Sequence, residues 1–194
     1  ATLRAELADD EDAAQATARA PLAALQLARL LVARAAFAPA DGDDAEAVDA
    51  GLSRALALLE AAEAHDWGVD DAGLEPCARI LRRAEAQTYA LEAKAVLGAA
   101  IGATAASLHR SGQAVSAEGL FRTALDKLGE CRHGHLAKVA PVSQSVVAQD
   151  YAALLEDWEN RARDAAGVRK QYPLCPPGNH APLLLGVPAW HVLG

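Results

Sequence analysis

The stretch from residue 101 to residue 124, IGATAASLHRSGQAVSAEGLFRTA, decides the fold. Its first part is rich in alanine and free of proline up to Ser111-Gly112, and a second helix-compatible run starts at Ala114. Alanine is the strongest helix former, and a glycine just after a helical run is typical of a helix end. The stretch therefore predicts two helices joined by a tight turn, packed against each other as an antiparallel hairpin.

Small and large residues occupy regular positions in this hairpin. The positions are Ile101, Ala105 and Leu108 on the first helix, Gly112 in the turn, and Ala117, Phe121 and Ala124 on the second helix. This pattern resembles the tetratricopeptide repeat, in which small residues lie where two helices cross closely and a large residue fills the gap beside them. Two positions depart from the family pattern, because Thr104 stands where leucine is usual and Gly129 where a proline often closes the repeat.

The neighbouring segments match the repeat less well. The small-large pair Ala105-x-x-Leu108 recurs 43 residues later as Ala148-x-x-Tyr151, where the next repeat would begin. The long connection 129–141 is similar to that of the longer-period repeats of kinesin light chains. In the preceding hairpin, Pro39 falls where a first helix should still be running. The resemblance implies an α-solenoid of stacked antiparallel helical hairpins.

Apolar residues at spacings of three and four predict the remaining helices. One helix starts at Pro21 and stops before Pro39, a second ends near residues 65–68, and a last long one covers 142–170. The expected core faces of the first two are Leu22, Leu25, Leu27, Leu30, Leu31 and Phe37, and Val48, Leu52, Leu56 and Leu59. We predict an all-α fold, with a helical repeat domain over 1–171 and an extended tail over 172–194.

The longest predicted helix, 75–110, divides into two unlike halves. Its charged residues, which we expect to be exposed, are Arg79, Arg82, Arg83, Glu85, Glu92 and Lys94. The stretch 95–108 is almost entirely small or apolar, so we expect burial on most sides. Gly98 and Gly102, four residues apart, predict the close approach of another helix. With about 14 uncharged residues against the roughly 20 that span a bilayer, this stretch predicts no transmembrane segment.

The tail combines prolines with apolar side chains. Its five prolines, Pro173, Pro176, Pro177, Pro182 and Pro188, disfavour regular helix. Disordered tails are normally polar, so we expect this one to lie against its own bundle or against a partner protein. The candidate partner-binding residues are Tyr172, Leu183, Leu184, Leu185 and Trp190, the last because tryptophan often anchors an interface.

Charge and motifs exclude several classes of function. The formal charge of −8 disfavours nucleic acid and anionic membrane surfaces as partners, because phosphates would be repelled. The short basic row at 79–83 is flanked by Glu75 and Glu85. The sequence has no nucleophile elbow, phosphate loop or dinucleotide fingerprint, so it indicates neither an enzyme nor a cofactor.

Cysteines and histidines offer one alternative function. Cys131, His133 and His135 lie in an irregular connection, and Cys175 and His180 lie in the tail, so the two groups could meet around a zinc ion. None of the pairs has the usual finger spacing. The alternative is therefore a small helical metal- or thiol-binding protein. Three cysteines make no disulfide framework in a chain of this length and favour a reducing compartment.

These observations favour a non-catalytic scaffold or an accessory subunit that binds other protein subunits. The chain starts at Ala1 and contains no methionine. This start is expected for a mature end left by a targeting peptide, which favours a mitochondrion or plastid, and equally for a trimmed or fragmentary chain, for which the cytoplasm is the alternative.

Overall fold

The computed structural model describes residues 20–37, 45–67, 75–137, 140–158 and 160–174. Within these ranges the chain forms six α-helices and no strand, which confirms the all-α prediction for this part of the chain. The helices are α1 (Pro21–Phe37), α2 (Ala45–Ala64), α3 (Pro76–Arg110), α4 (Ala114–Glu130), α5 (Ala140–Glu156) and α6 (Ala162–Gln171). A 3₁₀ turn, Gly134–Leu136, lies in the connection between α4 and α5.

Helix α3 is the centre of the packing. Each helix packs against the one before it and the one after it in the chain. In addition α3 contacts both α1 and α5, so it touches four of the other helices. The half of α3 that the sequence predicts to be buried, 95–108, is largely buried, as expected.

Two glycines of α3 let its neighbours approach closely. A Cβ added at Gly98 would lie 2.9 Å from Leu128 Cγ of α4, and one added at Gly102 would lie 2.6 Å from Val147 Cγ2 of α5. Real Cβ atoms do not reach such distances, so neither site accepts even alanine unless Leu128 or Val147 shifts. The predicted close approach at these glycines is confirmed.

The hairpin of α3 and α4 buries most of its patterned residues and leaves Leu108 half-buried. Ile101, Ala105, Ala117, Phe121 and Ala124 are all buried. In the turn, Gly112 has a φ of +81°, a left-handed conformation that glycine adopts without steric cost. The Phe121 ring also stacks on Tyr151 of α5, with 5.7 Å between the ring centroids.

The single helix predicted over 142–170 is wrong. The chain forms α5 and α6 instead, with a break around Asn160, whose φ is +67°. Asparagine is among the few residues other than glycine that visit this left-handed region routinely. The break escaped prediction because it contains neither glycine nor proline.

The core face predicted for α1 is only partly correct. Leu25 is buried, but Leu22 and Leu30 are 44% and 63% exposed. The buried positions of α1 that the leucine pattern missed are Ala24, Ala28, Arg29, Val32 and Ala33. Alanine is buried here because helices that cross closely leave no room for leucine. On α2 the predicted face is confirmed, with Val48, Leu52 and Leu59 buried and Leu56 half-buried.

Helix α3 has the length and apolar composition of a membrane-spanning helix. Half of its apolar window is buried inside the protein, and the core helix of a soluble protein meets the same criteria.

Two glycine-to-alanine substitutions test the close approach at α3. Gly102→Ala should lower the free energy of unfolding by about 1–2 kcal/mol, because the new Cβ overlaps Val147 by more than helix propensity restores. Gly119→Ala, in α4 with nothing within 4 Å of the new Cβ, should raise it by about 0.5–1 kcal/mol. Urea unfolding followed by circular dichroism measures both. Equal stabilisation by the two substitutions would contradict the packing described.

Candidate functional site

A groove with a volume of about 390 Å³ runs along α3 between α1 and α5. Its floor consists of small residues of α3, and its walls consist of aliphatic residues of the flanking helices. The apolar lining residues are Ala99, Gly102, Ala103 and Ala106 of α3, Val32 and Ala35 of α1, Leu52 of α2, and Val142, Val146, Val147 and Ala153 of α5. Because the floor residues follow helical spacing, they form one continuous stripe that can accept an apolar chain segment.

The groove becomes polar where α3 ends. His109, Arg110 and Asp150 line it there. Burial raises the pKa of the Asp150 carboxyl above its usual value, and the neighbouring charges of Arg110 and His109 oppose this rise. His109 Nε2 also lies 2.7 Å from the Asp157 carboxylate, which ties the end of α3 to the turn before α6. The groove thus combines a long apolar part with one charged end, an arrangement that can orient a bound segment.

The Glu118 carboxylate joins α4, α5 and the turn before α6 outside the groove. Its Oε1 accepts hydrogen bonds from Arg122 Nη2 at 2.5 Å, from the Tyr151 hydroxyl at 3.1 Å and from Arg161 Nη2 at 3.2 Å. These donors belong to α4, α5 and the turn before α6. The half-buried Glu118 carboxylate therefore fixes the position of α5, which forms a wall of the groove.

A buried ion pair joins α1 to α3. Arg29 Nη2 and Glu92 Oε2 are 2.5 Å apart, and both residues are at most 5% exposed. The expectation that Glu92 is exposed is wrong, because its carboxylate meets the guanidinium that α1 projects into the core. Arg29 lies between Ala28 and Val32 on the buried face of α1, and a charge on such a face needs an opposite partner. The position of Arg29 among buried apolar residues was the sequence feature that could have predicted a buried ion pair.

The candidate metal ligands are only partly described. Cys131 is fully buried, and burial raises the pKa of its thiol to about 11, whereas His133 is exposed. The Cys131 Sγ lies 3.3 Å from the Lys127 carbonyl oxygen, inside the core. The side chain of His135, and Cys175 and His180, lie outside the described residues. Within the described ranges no three His, Cys, Asp or Glu residues form a group that could hold a metal ion.

Of the candidate partner-binding residues, only Tyr172 lies within the described residues. Tyr172 is half-buried and packs against the core, while its carbonyl oxygen accepts a hydrogen bond of 3.3 Å from Gln149 Nε2 of α5. The other four, Leu183, Leu184, Leu185 and Trp190, lie outside the described residues. The structure adds an exposed apolar pair in the charged half of α3, Ile80 and Leu81, which are 69% and 66% exposed.

Comparison with other proteins adds no relative. No family model, no curated protein and no solved structure matches the chain. The functional argument is therefore carried by the groove and by the residues around it.

The Arg29–Glu92 pair can be tested against an exposed pair. Arg29→Met should lower the free energy of unfolding by about 3–5 kcal/mol, because it removes the buried guanidinium that lies 2.5 Å from the buried Glu92 carboxylate. The double variant Arg29→Met/Glu92→Leu should recover most of that loss, to within about 1–2 kcal/mol of the wild type. Arg169→Met, which breaks the exposed pair with Glu156, should cost at most about 1 kcal/mol. A double variant as unstable as Arg29→Met would contradict the burial described.

Alkylation rates test the state of Cys131. At pH 8 a thiol with a pKa of about 11 is almost entirely protonated, and the thiolate is the form that iodoacetamide attacks. We expect iodoacetamide to modify the exposed Cys77 at least roughly 100-fold faster than Cys131. Peptide mass spectrometry of a time course resolves the two sites. Similar rates would contradict a buried, protonated Cys131.

Proposed function

We propose that this protein is a non-catalytic, protein-binding scaffold or accessory subunit, and that the groove along α3 is its binding surface. One observation carries the proposal: the small floor residues and the aliphatic walls form a continuous apolar channel with charged groups at one end. Contiguous apolar surface of this kind is typical of sites that bind another protein segment. The expected partner contributes an apolar stretch that buries itself between α1 and α5.

The arrangement of the helices supports a repeat-like stack. We propose that α1–α2, α3–α4 and α5–α6 are three hairpins of a tetratricopeptide-like solenoid. The first helices of the three pairs, α1, α3 and α5, line the same groove. The second helix of each of the first two pairs also packs on the first helix of the next pair. Stacked hairpins of this type present their first helices on a concave surface, which is where such scaffolds hold partner segments.

The tail is proposed as a second binding element. Tyr172, Leu183, Leu184, Leu185 and Trp190 supply large apolar side chains, and tryptophan and tyrosine are enriched among the residues that dominate interface energies. In an assembly, a segment of this composition covers a neighbouring subunit while the groove holds another segment.

A pair of valines tests the role of the groove. Val146 lies on the groove rim and is 47% exposed, and Val115 lies on α4 outside the groove and is 80% exposed. Val146→Arg places a charge where the partner is expected to bury apolar surface, so we expect at least a fivefold loss of the principal co-purifying protein. Val115→Arg should leave its recovery unchanged. Native mass measurement of the tagged full-length chain, with identification of the bound proteins, gives the readout.

Two results would contradict this function. One is a free monomer for the wild-type chain in its native extract. The other is an equal loss of the partner in Val146→Arg and Val115→Arg, which would show that the groove is not the surface in use. Circular dichroism of both variants shows whether the fold is intact, and both positions are exposed enough to accept arginine.

A further inference from the structure

The chain leaves α6 along the surface of α5. The Tyr172 carbonyl oxygen accepts from Gln149 Nε2 at 3.3 Å, and the Pro173 carbonyl oxygen accepts from Ser145 Oγ at 2.9 Å. Gln149 and Ser145 are four residues apart, one helical turn. The backbone therefore advances toward the start of α5 as it enters the tail, and Leu174, the last described residue, is 72% exposed there.

This exit lies beside the groove. Ser145 is the direct neighbour of Val146 in the chain, and Val142 is one turn earlier on the same side of α5; both valines line the groove. The lining of α5 covers Val142 to Ala153, a length of about 17 Å at 1.5 Å per residue. The nine residues that follow Leu174, up to Leu183, can extend over about 30 Å, so the later part of the tail reaches every point of the groove.

The tail also matches the groove in chemistry. Residues 172–194 contain no Asp, Glu, Lys or Arg, although charged residues make up 23% of the whole chain. Within this segment, 183–193 (LLLGVPAWHVL) is the most apolar part. Pro182 precedes this segment and Pro188 interrupts it, which favours an extended chain over a helix. An extended chain can lie in a channel.

We propose that residues 183–193 occupy the groove of the same chain when no partner is bound. The hydrogen bonds from Gln149 and Ser145 direct the tail toward the groove, and the apolar segment then covers the floor of small residues. A partner must displace this segment in order to bind. The tail is thereby released to bind a neighbouring subunit only when a partner takes its place in the groove. This inference goes beyond the proposed function, because occupancy of the groove in the isolated chain does not depend on what the partner is.

Photo-crosslinking of the purified full-length chain tests the proposal. The photoreactive residue p-benzoylphenylalanine replaces Val146 at the groove rim or, as the matched control, Val115 on α4. After irradiation, mass spectrometry identifies the crosslinked peptides. We expect Val146 to crosslink to the peptide containing 183–193, with a yield at least fivefold higher than from Val115. A mixture of ¹⁵N-labelled and unlabelled chains should give crosslinks only within one isotopic species.

Tail variants provide the second measurement. Leu184→Asp and Trp190→Asp place a charge in the segment that the groove covers, and each should reduce the Val146 crosslink at least fivefold. Asn179→Ala, in the same tail but outside the segment, should leave the yield unchanged. If the Val146 replacement does not fold, the same replacement at Ala153, which is exposed and lines the groove, takes its place.

Three outcomes overturn the proposal. They are the absence of a crosslink to 183–193, an equal yield from Val115, and mixed-isotope crosslinks, which would show that the tail of a second copy fills the groove. None of them bears on whether a partner binds the groove, because that is read from the native assembly and its response to Val146→Arg.

Discussion

The contact between Gly102 and Val147 is the constraint on which the rest of the structure depends. It lets the Val147 side chain of α5 lie directly against the backbone of α3, and both residues also line the groove. A glycine inside a helix costs about 1 kcal/mol relative to alanine, so its presence there needs a reason in the packing. The reason is that the depth of the groove is set by how closely α5 approaches α3.

Polar contacts fix the positions of α1 and α5, the helices that form the walls of the groove. The Arg29–Glu92 pair ties α1 to α3 inside the core, and Glu118 receives three donors from the helices and turn around α5. Burying an ion pair gains little over apolar packing, but one that forms in a single arrangement of two helices penalises every other arrangement. Apolar packing between alanine-rich helices is less selective, because small side chains allow them to slide. We infer that these carboxylates fix the position of helices that the alanines alone would leave free.

Helix ends that carry glycine or proline were predictable from the sequence. The prediction failed where a different residue ends the helix. Gly112 marked the turn after α3, whereas Asn160 adopts the same left-handed backbone without an equally strong signal. Exposure was misjudged for Leu22, Leu30 and Glu92, because leucines were taken as core and charges as surface. In this chain many buried positions hold alanine, and a charged residue is buried because its partner 63 positions away is buried with it.

The repeat-like spacing predicted helices over this part of the chain, but it did not predict which residues line the groove. Alanine, glycine and valine carry no chemical signature, and three helices have to be placed before they form a groove. The most direct test of the central contact is a double-mutant cycle of Gly102→Ala and Val147→Ala, measured by urea unfolding. With Val147 shortened, only its Cβ would remain, 3.5 Å from the new methyl group. The overlap then disappears, and the double variant should be at least about 1 kcal/mol more stable than the sum of the two single effects predicts. Additivity within about 0.5 kcal/mol would contradict the account.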